Sequence, residues 1–248
     1  MCAGHAAPGT TSTRALAIIF ERDAGPGVFA EASVARGVEL DSWLVDGRSE
    51  PPGEVSGYDA VMVFGGSMHP DAEDAHPWLR EVKALLGELI GRGTPLLGVC
   101  LGGQLMADAV GLPSRPARKP ELGWYEVEVT AEGERDPLLG PLAPGFTAFG
   151  WHRYEFGLPR GGTALARSAA CLQAYRLGEL AWGIQFHAEV TAEDAAAWIK
   201  GDRDRQDAAR IVADFDQLRE RTSRAIGAWN ELGRGLCERF LTAAATRA

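Results

Sequence analysis

Residues 95–111 read Pro-Leu-Leu-Gly-Val-Cys-Leu-Gly-Gly-Gln-Leu-Met-Ala-Asp-Ala-Val-Gly, and the prediction of the fold starts from them. The first residues of this stretch form a short apolar run, which is typical of a strand buried on both faces. Leu101, Leu105 and Ala109 then recur every four residues, as on one face of a helix, and Gly111 can end that helix. The stretch therefore predicts a strand, a sharp turn and a helix in immediate succession.

Cys100 lies in the predicted turn, with Gly98 and Gly102 two residues to either side. Glycines let the backbone turn sharply, so that the sulfur is exposed at the carboxyl end of the strand and the following amides point at what it attacks. The helix N-terminus favours the thiolate. A buried structural cysteine is the alternative, because free cysteine is among the most buried residue types. The strand, glycines and helix together favour a nucleophile.

Composition limits the class of protein. The 248 residues suffice for one large α/β domain, and they include 34 acidic and 25 basic side chains, a formal net charge of −9. This acidic balance argues against a nucleic-acid surface. Four cysteines are widely spaced, without a C-x-x-C pair: Cys2, Cys100, Cys171 and Cys237. Neither a disulfide framework nor a zinc-thiolate site is indicated.

The N-terminus lacks an apolar signal core, and no apolar stretch approaches the length of a membrane span. We therefore expect a soluble, cytoplasmic protein with no membrane partner and no cofactor. Residues 1–13, which include Cys2 and His5, are small and polar and are predicted to be a disordered leader. His69 and His76 flank an acidic segment, but its ligand spacing is undefined, so we predict an exposed loop and no metal site.

The residues before Cys100 alternate between strand-like and helix-like patterns. Strands are predicted at 14–20, 38–45 and 59–64, and helices at 28–36 and 77–92. This order predicts a mainly parallel sheet with helices on both faces.

Sites on such sheets lie at the carboxyl ends of the strands, where both Cys100 and Gly65-Gly66 fall. The two glycines suit a backbone that approaches a ligand closely or offers an amide to an oxyanion, with a plain tight turn as the alternative.

The middle of the chain changes to short alternating strands. They are predicted at 123–130, 146–151, 163–167 and 171–176, which indicates antiparallel β structure. A last strand-like run, 181–186, is followed by His187 and Glu189. In extended geometry their side chains leave the same side, and the carboxylate can fix the tautomer of the imidazole and stabilise its protonated form. A surface pair is the alternative, but beside Cys100 the two residues predict a base and its orienting group.

The C-terminal part, 192–248, is predicted to be helical, with helices near 192–200 and from about 204 to the end. Apolar residues recur along it as a stripe with some drift: Ile211, Phe215, Leu218, Ile226, Trp229, Leu232, Leu236 and Phe240. We interpret it as a helical extension, 201–248, packed on a domain that spans 14–200, rather than as a separate binding module.

Four stretches together resemble the class I, or triad-type, glutamine amidotransferases, and the resemblance covers roughly 14–199. They are Gly65-Gly66 after a strand, Pro-Leu-Leu-Gly-Val-Cys-Leu-Gly-Gly-Gln at 95–104, Glu-Leu-Gly-Trp-Tyr at 121–125 and Gly-Ile-Gln-Phe-His-Ala-Glu-Val-Thr at 183–191. The chain looks most like free-standing proteins named after the glutaminase domain of GMP synthase, which include γ-glutamyl peptidases. The resemblance implies a flavodoxin-like, doubly wound α/β fold with a small antiparallel β insertion.

The resemblance also implies roles for individual residues. Cys100 would attack the γ-carboxamide of glutamine, His187 would pass a proton to the departing ammonia, and Glu189 would hold His187 in place. The oxyanion amides of the family match Gly66 and Leu101. Gln104 matches a residue of the glutamine pocket, and Gly65 is also a candidate substrate-binding residue.

Two departures from the family pattern bear on function. The family usually has Pro between the His and the Glu, where this chain has Ala188; the chemistry does not require that Pro. Relatives commonly read Trp-His-Gly-Asp where this chain has Trp-His-Arg-Tyr at 151–154, which changes a loop that could recognise the substrate. His152 is a candidate substrate-binding residue there, with an ordinary loop histidine as the alternative.

Three functions follow as hypotheses. The first is a glutaminase that releases ammonia to a separate synthetase or acceptor subunit, since the chain has no G-x-x-x-x-G-K-[ST] loop of its own. The second is a free-standing γ-glutamyl hydrolase or peptidase, and the third is a catalytically idle interaction protein. The sequence does not decide the oligomeric state.

Overall fold

A computed structural model describes residues 13–46 and 49–246. The strands are β1 (Arg14–Ile19), β2 (Glu39–Leu44), β3 (Ala60–Val63), β4 (Leu96–Val99), β5 (Arg115–Val129), β6 (Gly145–Glu155), β7 (Gly162–Ser168), β8 (Leu172–Leu177) and β9 (Ala181–Ile184). The α-helices are α1 (Val28–Ala35), α2 (Trp78–Gly91), α3 (Leu101–Ala109), α4 (Ala192–Asp202) and α5 (Phe215–Ala245). The predicted leader lies outside the described residues except for its last residue, as do Cys2 and His5.

The strands form one continuous sheet in the order β2-β1-β3-β4-β9-β8-β7-β5-β6. The pairs from β2 to β9 are parallel, and the pairs from β9 to β6 are antiparallel. The predicted α/β class is confirmed, but the antiparallel part is larger than the small insertion that we expected. It continues the main sheet because β8 pairs along the open edge of β9, which leaves no unpaired edge there.

Helices cover both faces of the parallel strands. Along β1, Leu16 and Ile18 pack in one apolar cluster with residues of α2 and α3. Ala15 and Ala17 belong to the other cluster, which includes residues of α1 and α5. Because both faces are buried, the strand consists of a continuous apolar run, as the sequence predicted.

The longest helix, α5, begins later than predicted. The side chain of Asp214 accepts hydrogen bonds from the amides of Asp216 and Gln217, both at 2.9 Å, and so forms the N-cap. The chain between α4 and α5 is irregular apart from one short 3-10 turn, Ala208–Arg210, where the sequence predicted helix from about residue 204. The buried stripe of α5 comprises Thr222, Ile226, Trp229, Gly233, Leu236, Cys237, Phe240, Leu241 and Ala244.

The burial of α5 predicts that its apolar stripe carries much of the stability of the whole fold. Phe240 is fully buried, and Phe240→Ala should lower the free energy of unfolding by about 3–5 kcal/mol because it leaves a cavity. Val34→Ala is the control, since that side chain is 76% exposed and should change stability by less than about 0.5 kcal/mol. Chemical denaturation of both variants measures the difference, and equal midpoints would contradict this packing of α5.

Candidate active site

The turn between β4 and α3 holds Cys100 in an unusual backbone conformation. Its φ is 51° and its ψ is −109°, and among the described residues no other non-glycine residue has a positive φ. Its amide donates to the carbonyl of Ile184 on β9 at 2.8 Å, and it is the N-cap residue of α3. This is the strand-turn-helix geometry that the sequence predicted, and it directs the side chain away from the sheet.

Gly98 and Gly102 are required for space and not for a positive φ, because only Cys100 itself adopts the left-handed conformation within this turn. A Cβ at Gly102 would overlap the carbonyl oxygen of Val63. A Cβ at Gly98 would lie 2.6 Å from the amide nitrogen of Gly103. The two glycines therefore let α3 press directly against β3 and β4, which corrects our expectation that they supply the sharp turn themselves.

His187 and Glu189 lie beyond the end of β9 in a bent segment. The imidazole Nδ1 of His187 is 2.7 Å from a carboxylate oxygen of Glu189, and both residues are buried. The amide of His187 donates to the carbonyl of Phe149 on β6 at 2.9 Å. The predicted pairing of the two side chains is therefore present, but not for the predicted reason, since the segment is not an extended strand.

The electrostatic environment of His187 favours its protonated form. Burial alone would lower the pKa of His187, but the Glu189 carboxylate and the neighbouring Cys100 outweigh it and raise the pKa to about 10. Its Nε2 atom is buried and makes no hydrogen bond to another described residue. An imidazole with one nitrogen bonded to a carboxylate and the other one free is suited to donate and accept a proton.

Gly65 and Gly66 follow β3 and lie at the same edge of the sheet. A Cβ at Gly65 would come 3.0 Å from the Cε1 atom of His187 and 3.8 Å from the Cβ atom of Cys100, so the glycine packs against both residues. Gly66 lines the cavity above Cys100 and lies beside the side chain of Leu101. The amide of Leu101 is the first of α3 and has no partner within the helix.

A hydrogen-bonded pair of glutamines, Gln104 and Gln185, lies next to Cys100. The side-chain amide of Gln104 donates to the carbonyl of Tyr154 at 3.0 Å and to the side-chain oxygen of Gln185 at 3.3 Å. Gln185 in turn donates to the sulfur of Cys100 at 3.6 Å. Gln104 also lines the cavity, so it connects the cavity wall to the environment of the sulfur.

His152 is buried, and both of its ring nitrogens face hydrogen-bond acceptors. Nδ1 is 3.0 Å from the carbonyl of Tyr154, and Nε2 is 3.0 Å from the Glu121 carboxylate. Burial would raise the pKa of Glu121, but the bonds from His152 and Gln173 hold it below its usual value. His152 lines the cavity, although its polar atoms are engaged by the protein.

Glu121, His152 and Cys171 form the one group of potential metal ligands found among the described residues, with their ligand atoms within 4.8 Å of one another. The same atoms are bonded to each other and to Gln173, which donates to Glu121 at 2.6 Å. Burial and the charge of Glu121 raise the pKa of the Cys171 thiol to about 12. Since the polar atoms of the group satisfy one another and Gln173, we describe the group as a hydrogen-bonded cluster.

The acidic segment between His69 and His76, predicted to be an exposed loop, forms ion pairs with α2. Asp74 pairs with Arg80, and Glu73 pairs with Lys83. The ring of His69 packs against the ring of Tyr154 in a tilted arrangement with centroids 4.4 Å apart, and His76 packs against Trp78.

A cavity of about 340 Å³ opens above Cys100 and His187. Part of its wall comes from α3 and from the loop after β3, which contribute Gln104, Gly66 and Met68. Another part of the wall is formed by aromatic and charged side chains of β6 and α4 and of the chain after α4: Trp151, Arg153, Tyr154, Trp198, Asp202 and Arg205. Arg153 donates to Asp202 at 2.8 Å and to Asp207 at 2.6 Å, which fixes this wall.

Two functional candidates were missed by the sequence analysis. Gln185 and Glu121 lie in the motifs that carry the family resemblance, but no role was assigned to them. For Gln185 the signal is a polar residue in an otherwise apolar strand-like run, which needs a buried partner. Glu121 follows Arg118 and Lys119, so its polar character is not a signal of this kind.

In the described part of the chain, no helix is both long enough and apolar enough to cross a membrane.

The fold and site define an α/β protein with a buried cysteine, imidazole and carboxylate at the carboxyl ends of parallel strands. A family model described as class-I glutamine amidotransferase matches residues 28–200. The chain therefore belongs to the class-I glutamine amidotransferases.

Several known proteins are similar to the chain. The glutamine amidotransferase-like protein YfeJ of Salmonella typhimurium is 29% identical over 182 residues, which cover 71% of this chain and 75% of that protein. A glutamine-hydrolyzing GMP synthase subunit of Natronomonas pharaonis is 33% identical, with coverage of 66% and 83%. A glutamine amidotransferase structure from Thermotoga maritima superposes with a TM-score of 0.82 at 27% identity, covering 92% of this chain and 98% of that one.

A further relative has a different described substrate. The γ-glutamyl-L-1-hydroxyisopropylamide hydrolase of a Pseudomonas species is 29% identical over 153 residues, which is 58% of this chain. The match spans about half of that protein, 51% of its length. The relatives thus include both a glutamine-hydrolyzing synthase component and a γ-glutamyl amide hydrolase.

The contact between His187 and Glu189 predicts how the imidazole titrates. Glu189→Gln should lower the pKa of His187, because the attraction of the carboxylate for the imidazolium is lost while the burial remains. Nuclear magnetic resonance of the His187 ring as a function of pH measures the change. Glu193→Gln is the matched control, since Glu193 is exposed on α4, and an equal pKa in both variants would contradict the assigned pairing.

Proposed function

We propose that the chain hydrolyses the γ-amide of glutamine through a thioester on Cys100 and releases ammonia. The observation that carries the proposal is the position of Cys100, at a strand-turn-helix junction beside the His187–Glu189 pair and at the base of the cavity. A nucleophile, a base and a group that orients the base are the parts that such a reaction requires.

In the first half of the reaction, the Cys100 thiolate attacks the γ-carbonyl carbon, and the carbonyl electrons move to the oxygen. The amides of Gly66 and Leu101 are assigned to this oxyanion. The protonated His187 then gives its proton to the amide nitrogen, the C–N bond breaks, and ammonia leaves. The bond that Gln185 donates to the sulfur stabilises the thiolate before attack.

In the second half, His187 takes a proton from water, and the resulting hydroxide attacks the thioester carbon. The C–S bond breaks, glutamate is released, and the sulfur returns as the thiolate. Glu189 keeps Nδ1 of His187 as the donor throughout, so that Nε2 faces the reacting atoms. Gly65, Gln104 and His152 are assigned to the substrate-binding wall, His152 through the carbonyl of Tyr154 that it shares with Gln104.

A γ-glutamyl amide hydrolase is the second candidate, and the lining of the cavity favours it. Trp151, Trp198 and Tyr154 line the cavity together with Cys100, and they offer apolar surface to a leaving group larger than ammonia. The relative that hydrolyses a γ-glutamyl amide is in accord with this candidate.

If ammonia is the product, a separate synthetase or acceptor subunit is the partner that we propose, because one similar protein is itself a subunit of a GMP synthase.

We assign residues 14–200 to the amidotransferase domain and 201–248 to a helical extension. We expect a cytoplasmic enzyme without a cofactor.

Substitutions in the proposed triad should differ in severity. Cys100→Ala should reduce release of glutamate to the background rate, whereas Glu189→Ala should keep a turnover about 50- to 100-fold above that background, because an orienting group contributes less than a nucleophile. Cys237→Ala is the control, since that buried thiol lies against α1. A folded Glu189→Ala variant that is as inactive as Cys100→Ala would contradict the role of Glu189.

The substrate is decided by glutamate release from glutamine and from a panel of γ-glutamyl amides, with Cys100→Ala as the blank. Strong turnover of the larger amides by the chain alone would establish the hydrolase, and slow turnover confined to glutamine would establish the glutaminase. A glutamine-analogue electrophile should label Cys100 and leave Cys237 unmodified. Absence of both turnover and labelling would leave only the idle interaction protein.

A further inference from the structure

The segment from His187 to Val190 is held at four successive backbone carbonyls by two helices. The indole Nε1 of Trp229 donates to the carbonyl of His187 at 2.8 Å, and the side-chain amide of Asn230 donates to that of Val190 at 2.7 Å. The amide of Val28, at the start of α1, donates to the carbonyl of Glu189 at 2.9 Å.

The fourth carbonyl, that of Ala188, lies directly on the surface of α5. A Cβ built at Gly233 would overlap this oxygen, so only glycine lets the helix and the segment approach so closely. Trp229, Asn230 and Gly233 are neighbouring positions of one helical face, because residues three and four apart lie side by side on a helix. Three of the four contacts therefore come from one patch of α5.

We propose that α5 sets the position of the catalytic base, with Trp229 and Asn230 as positioning residues and Gly233 as the point of closest approach. The proposal rests on the function proposed above for His187 and Glu189. The geometry of the base is thus built by the chain itself, from a helix that lies outside the segment matched by the family model.

The physical reason is that the carbonyls of this segment have no partner in the sheet. Strand β9 ends at Ile184, so the carbonyls from His187 onward have no ladder partner and need other donors when buried. If those donors are lost, the peptide planes can rotate, and the imidazole rotates with them. Orientation errors of this kind reduce the rate of the chemical step more than they weaken substrate binding.

Trp229 can be changed without emptying its site. Its ring packs against Trp124, Phe146 and Phe186, and Trp229→Phe keeps an aromatic ring there while it removes the N–H group. Trp124→Phe is the matched control, because it loses a buried bond from an indole to α5, the bond to Thr222, that does not involve the segment from His187 to Val190.

A second pair of variants tests the close approach. Gly233→Ala should push α5 and the carbonyl of Ala188 apart. Gly227→Ala adds the same methyl group at an exposed position of the same helix, where no atom lies within 4 Å.

The experiment measures glutamate release from glutamine, or from the best γ-glutamyl amide of the panel, together with the titration of the His187 ring. We expect kcat of Trp229→Phe and Gly233→Ala to fall about 10- to 100-fold with KM changed less than about twofold. The His187 titration should shift in both variants, and the two controls should match the wild type in kcat and in titration.

Two outcomes would overturn the proposal: kcat values of Trp229→Phe and Gly233→Ala within about twofold of their controls, or losses of activity that only follow the loss of folded protein in denaturation. If the wild type itself releases no glutamate, the proposed function fails. The His187 titration still tests α5 in that case, and an unshifted titration in both variants would reject its positioning role.

Discussion

The close contact between the start of α3 and the ends of β3 and β4 is the constraint on which the rest of the site depends. Gly102 lies against the carbonyl of Val63, and its amide donates to the carbonyl of Phe64 at 3.1 Å. This contact leaves no room for a longer connection, so Cys100 alone must make the turn and takes a positive φ. Such a conformation is unfavourable for a non-glycine residue, and it persists because the packing on both sides fixes it. The sulfur is held at the edge of the sheet as a result.

The second constraint is electrostatic. A buried imidazolium has to be compensated, because removing its charge from water is unfavourable. Glu189 supplies the compensating charge at Nδ1, and the neighbouring Cys100 also contributes to the raised pKa of His187. The buried imidazolium of His187 is stabilised only while Glu189 and Cys100 stay close to it. The rigidity of the surrounding backbone therefore matters as much as the identity of the three side chains.

Much of the fold was predictable from the sequence because its parallel strands are buried on both faces. The runs at 14–20, 59–64 and 95–100 contain few polar residues, and a strand of this kind is recognised from composition alone. The turn at Cys100 was predictable for a related reason. Gly98 and Gly102 indicate a close approach of the backbone, and they lie only two residues to either side of the cysteine. The extent of the antiparallel region was not predictable. The alternation of apolar and polar residues indicates a strand but does not specify its partner, and so it could not show that β8 pairs with β9.

The start of α5 was mispredicted because residues 203–214 have a helix-like composition, and only the cap formed by Asp214 defines the boundary. The role proposed for α5 could not be predicted from the sequence, for a different reason. Its buried residues share one apolar cluster with β1, β4 and β9, so the helix belongs to the same core as the strands that carry the site. Trp229 and Gly233 fit the apolar period of that stripe, and nothing in the period distinguishes a residue that only packs from one that also bonds to the segment of the proposed base, 42 positions earlier in the chain. A motif local in sequence pointed to Cys100 as the proposed nucleophile, whereas the position of His187, the proposed base, is a property of the tertiary structure.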